Sequence, residues 1–179
     1  KNRAALENTP GIEDLVTTAL TGDEGMVLFE YSPYGVIGSV APSTNATETI
    51  INNSISMLAA GNAIYFSPHP GAKQVSLNLI ARMEAIVFKT CGIHNLIVTV
   101  REPSFEATQQ MMAHPNIALL AITGGPGIVS MALKSGRSSI SACFRLPPSR
   151  SPFSSASSTT FARSTTACGN PASRATCTP

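Results

Sequence analysis

The stretch LAITGGPGIV, residues 120–129, places an apolar run, a glycine-rich turn and a helix opening within ten positions. A nearly continuous apolar run suits a parallel strand covered on both faces. Glycines let backbone come close to a phosphate, and the first turn of a helix offers free N–H groups and a favourable dipole. Taken alone, TGGPG matches neither the GxGxxG fingerprint nor a Walker loop, and it follows the last strand of its series rather than the first. A tight strand-to-helix turn explains it equally well.

Upstream, short apolar runs alternate with segments of helical period. The runs predict strands at 36–40, 63–66, 96–100 and 118–122, with a further strand of uncertain place at 26–31. Ile51, Ile55 and Leu58 predict a helix over 47–60, stopped by Gly61 and Asn62. Val75, Leu79, Met83 and Val87 recur four apart and predict a long helix over 72–91, with Gly92 after it. Ser104 can cap a helix over 105–113, with Glu106 near its positive end and Pro115 beyond it. The alternation gives an α/β fold, a doubly wound parallel sheet of the dinucleotide-binding type.

The chain of 179 residues can bury a core of ordinary size, and its net charge of +2 comes without a concentrated basic run. Nucleic acid and anionic membranes are therefore excluded as partners. The longest apolar runs reach about half a bilayer span, and KNRAALENTP has no signal-type apolar core, so a soluble cytoplasmic protein is expected. Every Asp and Glu lies at or before Glu106, whereas 137–179 is built mainly from Ser, Thr, Ala, Pro and Arg. Three segments follow: an N-terminal connecting segment (1–25), a partial dinucleotide-binding domain (26–136), and a tail (137–179) expected to be disordered or read out of frame. The cysteines match no zinc or redox spacing, so no metal is expected.

Ligands of such sheets bind at the carboxyl ends of the strands. The candidate binding residues are therefore Pro42, Ser43, Thr44 and Asn45 after the first main strand, Ser67, Pro68 and His69 after the second, and Thr123, Gly124, Gly125 and Gly127 after the fourth. His69, between two prolines, is a candidate to face the ligand.

The wording FEYSPYGVIGSVAPSTNATETIINNSISMLAAGNAIYFSPHPGAK (29–73), followed by FEATQQMMAHPNIALLAITGGPGIV (105–129), resembles the CoA-acylating aldehyde dehydrogenases, including those of propanediol-utilising bacterial microcompartments. The likeness runs nearly continuously from Lys1 to Gly136. It implies oxidation of a short aldehyde, propionaldehyde or acetaldehyde, with NAD, and transfer of the acyl group to coenzyme A through a cysteine thioester. It also implies a homo-oligomer, with microcompartment shell components as partners. By the same resemblance Pro42, Ser43 and Thr44 lie near the nicotinamide half and Ser67, Pro68 and His69 near the adenosine half. Thr123, Gly124, Gly125 and Gly127 lie along the pyrophosphate and nicotinamide, and Asn45 is the candidate oxyanion donor.

Two departures stand out. Ala46 replaces the usual proline, which loosens the turn that aims Asn45. The segment with the nucleophilic cysteine is not found, so the chain alone is expected to turn over no aldehyde; the alternative is a non-catalytic nucleotide-binding or subunit-interaction module. Cys91 reads as a packed residue, and Cys143, Cys168 and Cys177 lie in no family-like context. His94 and His114 read as solvated turn residues, Met111 and Met112 as helix packing.

Overall fold

The computed structural model describes residues 1–143, apart from residue 14. In chain order the elements are α1 (Asn2–Asn8), β1 (Thr18–Gly22), β2 (Gly25–Phe29), β3 (Val36–Ala41), α2 (Ala46–Ala59), β4 (Ala63–Pro68), α3 (Lys73–Cys91), β5 (Ile97–Thr99), α4 (Phe105–Ala113), β6 (Ile117–Gly124), α5 (Pro126–Lys134) and β7 (Ser138–Cys143). A single 3₁₀ turn, Pro70–Ala72, joins β4 to α3.

The main sheet is parallel, in the order β5-β4-β3-β6-β7. The chain starts in the middle at β3, steps outward to β4 and β5, then returns across the sheet through α4 to β6 and β7. This is the doubly wound order, with its reversal between β3 and β6. One core layer joins Ala41, Ile50, Ile64, Phe66, Ile80 and Ile97, under α2 and α3. The opposite layer joins Val40, Met111, Met112, Ile117, Leu120, Ile122 and Ala132, under α4 and α5. Burying each large side chain of these layers contributes about 1.5–3 kcal/mol. Gly38 keeps the second layer close: a Cβ there would sit 3.1 Å from Leu120 Cδ2 and 3.3 Å from Met111 Sδ.

The predicted Leu58, Leu79, Met83 and Val87 pack half-buried against the first core layer, but the most buried positions of α2 and α3 lie beside them. Ile50 and Ser54 are fully buried where Ile51 and Ile55 were expected inward, and Ser76 and Ile80 are buried while Val75 is exposed. Serine fits here because a small side chain lets a helix lie close to its neighbour. The helix ends follow the expected chemistry. Ser104 Oγ accepts from Ala107 N at 3.1 Å at the start of α4, and Gly92 closes α3 in the left-handed region at φ 72°.

Asn62 does more than stop a helix. Its side chain is 4 % exposed, its Oδ1 accepts from Tyr34 N and Gly35 N at 2.6 and 3.1 Å, and its Nδ2 donates to Met57 O and Ala60 O at 3.2 and 3.3 Å. One amide thus ties the end of α2 to the chain entering β3. Glu84 plays a similar part on α3, accepting from Asn95 N and Ile97 N to set the start of β5. His94 is the exposed turn residue expected, and its ring also stacks on Phe88 with centroids 3.7 Å apart.

Two strands correct the sequence-based reading. The strand expected at 26–31 spans Gly25–Phe29 and pairs antiparallel with β1, which was not foreseen, in a hairpin separate from the main sheet. Leu20, Met26, Val27, Leu28 and Phe29 are all exposed on that hairpin. Beyond Gly136, where pattern was expected to end, β7 pairs with β6 from Leu119↔Ser138 to Gly124↔Cys143. The rest of the tail, 144–179, with Cys168 and Cys177, lies outside the described residues.

Candidate cofactor site at the sheet's carboxyl edge

The reversal between β3 and β6 opens a crevice at their carboxyl ends, and two of the predicted groups flank it. Pro42–Asn45 leaves β3, whose last residue is Ala41, and Gly125–Gly127 leaves β6. Thr123 and Gly124 are the last two residues of β6 itself. The third group ends β4, one strand further out.

Glycine has a physical reason at this edge. A Cβ at Gly124 would meet Ile128 Cγ2 at 2.8 Å, so the turn into α5 closes only on a residue without a side chain. A Cβ at Gly125 or Gly127 would meet nothing within 4 Å, which leaves open space in front of the helix. Gly125 is the N-cap, Pro126 has no N–H, and the first bond into the helix runs from Val129 N to Gly125 O. The N–H groups of Gly127 and Ile128 therefore point out of the helix start toward that space. Such a cradle suits the diphosphate of a dinucleotide.

Asn45 is the half-buried N-cap of α2, at φ −139° and ψ 49°, and its side chain makes no capping bond. Its Oδ1 instead accepts from Thr44 Oγ1 at 3.1 Å. Ala46 matters here, because a proline would restrict the preceding residue to ψ of about 120–160°, whereas before alanine Asn45 rests at ψ 49°. In the first turn of α2, hydrogen bonds from the Glu48 backbone N–H and then from the Thr47 hydroxyl hold the Glu48 carboxyl below its ordinary range.

Ser67 and Pro68 are buried, and the Ser67 hydroxyl faces inward, 2.8 Å from Thr108 Oγ1. Thr108 spends its own hydrogen on Ser104 O at 2.9 Å, so Ser67 is the donor of the pair. Any ligand contact at Ser67 falls to its backbone. His69 is exposed; its Nδ1 accepts from Gly71 N at 3.0 Å, which puts the neutral ring's hydrogen on Nε2. Beside it, Lys73 Nζ donates to Glu102 Oε2 at 2.5 Å, joining the start of α3 to the loop after β5. The Thr108 and Lys73–Glu102 partnerships were not foreseen, since each links residues distant in sequence.

Cys91 is exposed at the far end of α3 and donates to Val87 O, about 28 Å of helix from Lys73. The Cys143 backbone pairs with Gly124. Among the described residues no cluster of three or more His, Cys, Asp or Glu could hold a metal ion, and no helix is long and apolar enough to cross a membrane. A concavity of about 460 Å³ lies between α4 and the outer strands, lined by Tyr65, Val98, Val100, Gln110 and Met111; it is on a sheet face, away from the crevice.

The parallel sheet and its order β5-β4-β3-β6-β7 define an α/β protein of the doubly wound class. More particularly, the chain belongs to the aldehyde dehydrogenase family, whose sequence model matches residues 5–143. It is 77% identical over 148 residues to the propanal dehydrogenase (CoA-propanoylating) of Salmonella typhimurium, covering 83% of this chain and 32% of that protein. The propionaldehyde dehydrogenase of Rhodopseudomonas palustris, solved with bound CoA and an acylated cysteine, superposes with a TM-score of 0.75 at 55% identity, over 78% of this chain and 32% of that one. The propionaldehyde dehydrogenase of the Clostridium phytofermentans fucose utilisation bacterial microcompartment superposes with a TM-score of 0.75 at 43% identity, over 79% and 32%. The chain thus spans about a third of the length of these relatives.

Proposed function

We propose that the chain forms the dinucleotide-binding part of an NAD-dependent, CoA-acylating aldehyde dehydrogenase acting on propionaldehyde or acetaldehyde. The observation that carries this reading is the identity of 77% over 148 residues to a CoA-propanoylating propanal dehydrogenase. When bound, NAD supplies the hydride acceptor. The chain's part is to hold it: Gly124, Gly125, Gly127 and the free N–H groups of α5 take the diphosphate, with Thr123 beside them. Pro42, Ser43 and Thr44 flank the nicotinamide half, and Ser67, Pro68 and His69 the adenosine half. Asn45 donates its amide N–H to the oxygen of a reacting carbonyl, the oxygen on which charge develops. The acyl group passes from a cysteine thioester to coenzyme A, as the acylated cysteine and bound CoA of the Rhodopseudomonas enzyme support. The complete enzyme works as a homo-oligomer in the cytoplasm or a microcompartment lumen among shell components; the Clostridium relative, itself from a microcompartment, supports the lumen alone. The domain, expected over 26–136 with 1–25 as a connecting segment, takes in β7 as well, because Ser138–Cys143 pairs with β6.

Titration of the 179-residue chain with NAD, followed by calorimetry, tests this reading. Binding without NADH formation from propionaldehyde and CoA is expected. Absence of binding by a cooperatively folded chain refutes the cofactor site, and turnover by the chain alone refutes its lack of a nucleophile. A second reading, a non-catalytic interaction module, is favoured by the exposed apolar rows of the β1–β2 hairpin. A monodisperse monomer by light scattering counts against it.

A further inference from the structure

In doubly wound dinucleotide sites, discrimination between a free ribose 2′-hydroxyl and a 2′-phosphate rests on a charged group near the end of the second strand: an acid accepts from the hydroxyl, a base welcomes the phosphate. Here the second strand of the winding is β4, and no acid occurs in the run from Ser67 to Lys73. The carboxylate comes instead from the neighbouring strand's loop. Glu102 follows β5, is 79% exposed, and is held at 2.5 Å by Lys73, whose side chain is 28% exposed. Lys73 opens α3 after β4, and Glu102 lies in the loop after β5, so an acid and a base meet at the carboxyl ends of two neighbouring strands.

We infer that the Lys73–Glu102 pair sets the preference of this site between NAD and NADP. The inference rests on the cofactor reading proposed above. With a free 2′-hydroxyl, Glu102 accepts the O–H while Lys73 donates to the adjacent ribose oxygen, and the pair stays intact. A 2′-phosphate brings about two negative charges beside the Glu102 carboxylate, which repels them, while the single positive charge of Lys73 is already shared with Glu102. The intact pair therefore favours NAD because Lys73 is already engaged. Removing the carboxylate charge releases Lys73 and turns the same position into a phosphate site.

The test is calorimetric titration of the full 179-residue chain with NAD and with NADP, for wild type, Glu102→Gln, Glu102→Ser and the double variant Glu102→Gln with Lys73→Met. Circular dichroism and thermal melts accompany each titration. Both single variants should tighten NADP relative to NAD by about tenfold, equivalent to about 1.4 kcal/mol. The double variant should lose that gain. An NADP-to-NAD affinity ratio within twofold of wild type in both single variants overturns the inference while leaving the cofactor reading intact. A gain that survives Lys73→Met overturns it too, since another group then takes the phosphate. Failure of the folded wild type to bind either dinucleotide overturns the cofactor reading, and this inference with it.

Discussion

Replacing Asn62 with alanine removes four hydrogen bonds at once, two accepted from Tyr34 N and Gly35 N and two donated to Met57 O and Ala60 O. At about 0.5–1.5 kcal/mol net each, the sum is roughly 2–6 kcal/mol. Tyr34 and Gly35 are exposed and can regain water, which brings the expected loss to about 2–3 kcal/mol. In a domain of this size that lowers Tm by about 4–12 °C. Asn62→Asp separates the two halves of the interaction. Aspartate still accepts from the two N–H groups, but its second oxygen then faces the Met57 and Ala60 carbonyls, which favour a protonated carboxyl that can donate. Its folded pKa is therefore raised, so Asn62→Asp should regain stability against wild type as pH falls from 7 toward 5. Urea denaturation followed by circular dichroism at both pH values measures this. A loss under about 0.5 kcal/mol for Asn62→Ala, or a pH-independent difference for Asn62→Asp, refutes the account of Asn62 as the tie between α2 and β3.

Further outcomes follow from the same structure. Gly124→Ala forces a Cβ to 2.8 Å from Ile128 Cγ2, so α5 must shift; stability in a melt should fall by about 1–3 kcal/mol, and NAD affinity in a titration should fall at least fivefold. Ser67→Ala should cost about 1–2 kcal/mol in denaturation, by leaving Thr108 without its donor, yet keep NAD affinity within twofold because the hydroxyl faces inward. Ser54 and Ser76 bury hydroxyls with no partner among the described residues, so changing both to alanine should raise stability by about 1 kcal/mol. At the start of α4, hydrogen bonds from the Glu106 backbone N–H and then from the Ser104 hydroxyl lower the Glu106 pKa below its ordinary 4.5. Its contribution is present above that value and is lost as pH falls through the lowered one, so Glu106→Gln should flatten the acid limb of the stability profile.

The main sheet was legible because its inner strands are apolar throughout. IALLAITG and AIYFSP carry their own signal, since both of their faces are covered. Strand β7, SSISAC, has one large apolar residue, Ile140, and β1, TALTG, has only Leu20. These segments become strands through the neighbour they pair with, a non-local cause that composition does not carry. The same limit applied at the site. The turns after the strands could be placed from spacing, as could the Ser104 cap. The inward commitment of Ser67 depends on Thr108, and the meeting of Lys73 with Glu102 depends on β4 lying beside β5. On α2 and α3, Leu58, Leu79, Met83 and Val87 pack on the core as their spacing indicated, while Ser54 and Ser76 occupy buried positions that a search for large apolar residues passes over.

The central place of β3 also has a consequence in time. A ribosome delivers β3, then β4 and β5, and the layer of Ile50, Ile64, Phe66, Ile80 and Ile97 can close at once. The partner for the other side of β3 is β6, and Gly38 pairs with Leu120. At about 5–20 residues per second that partner emerges on the order of 4–16 s later. Throughout this interval β3 offers a bare edge at its Leu120 side, and Val40 has no Met111 or Ile122 to cover it. The nascent chain therefore matures one layer at a time, and its window of vulnerability to wrong pairing is set by the length of chain from α2 to α4. Substitutions under α4 and α5 should accordingly act on the yield of folded chain during synthesis, and those under α2 and α3 on whether folding begins.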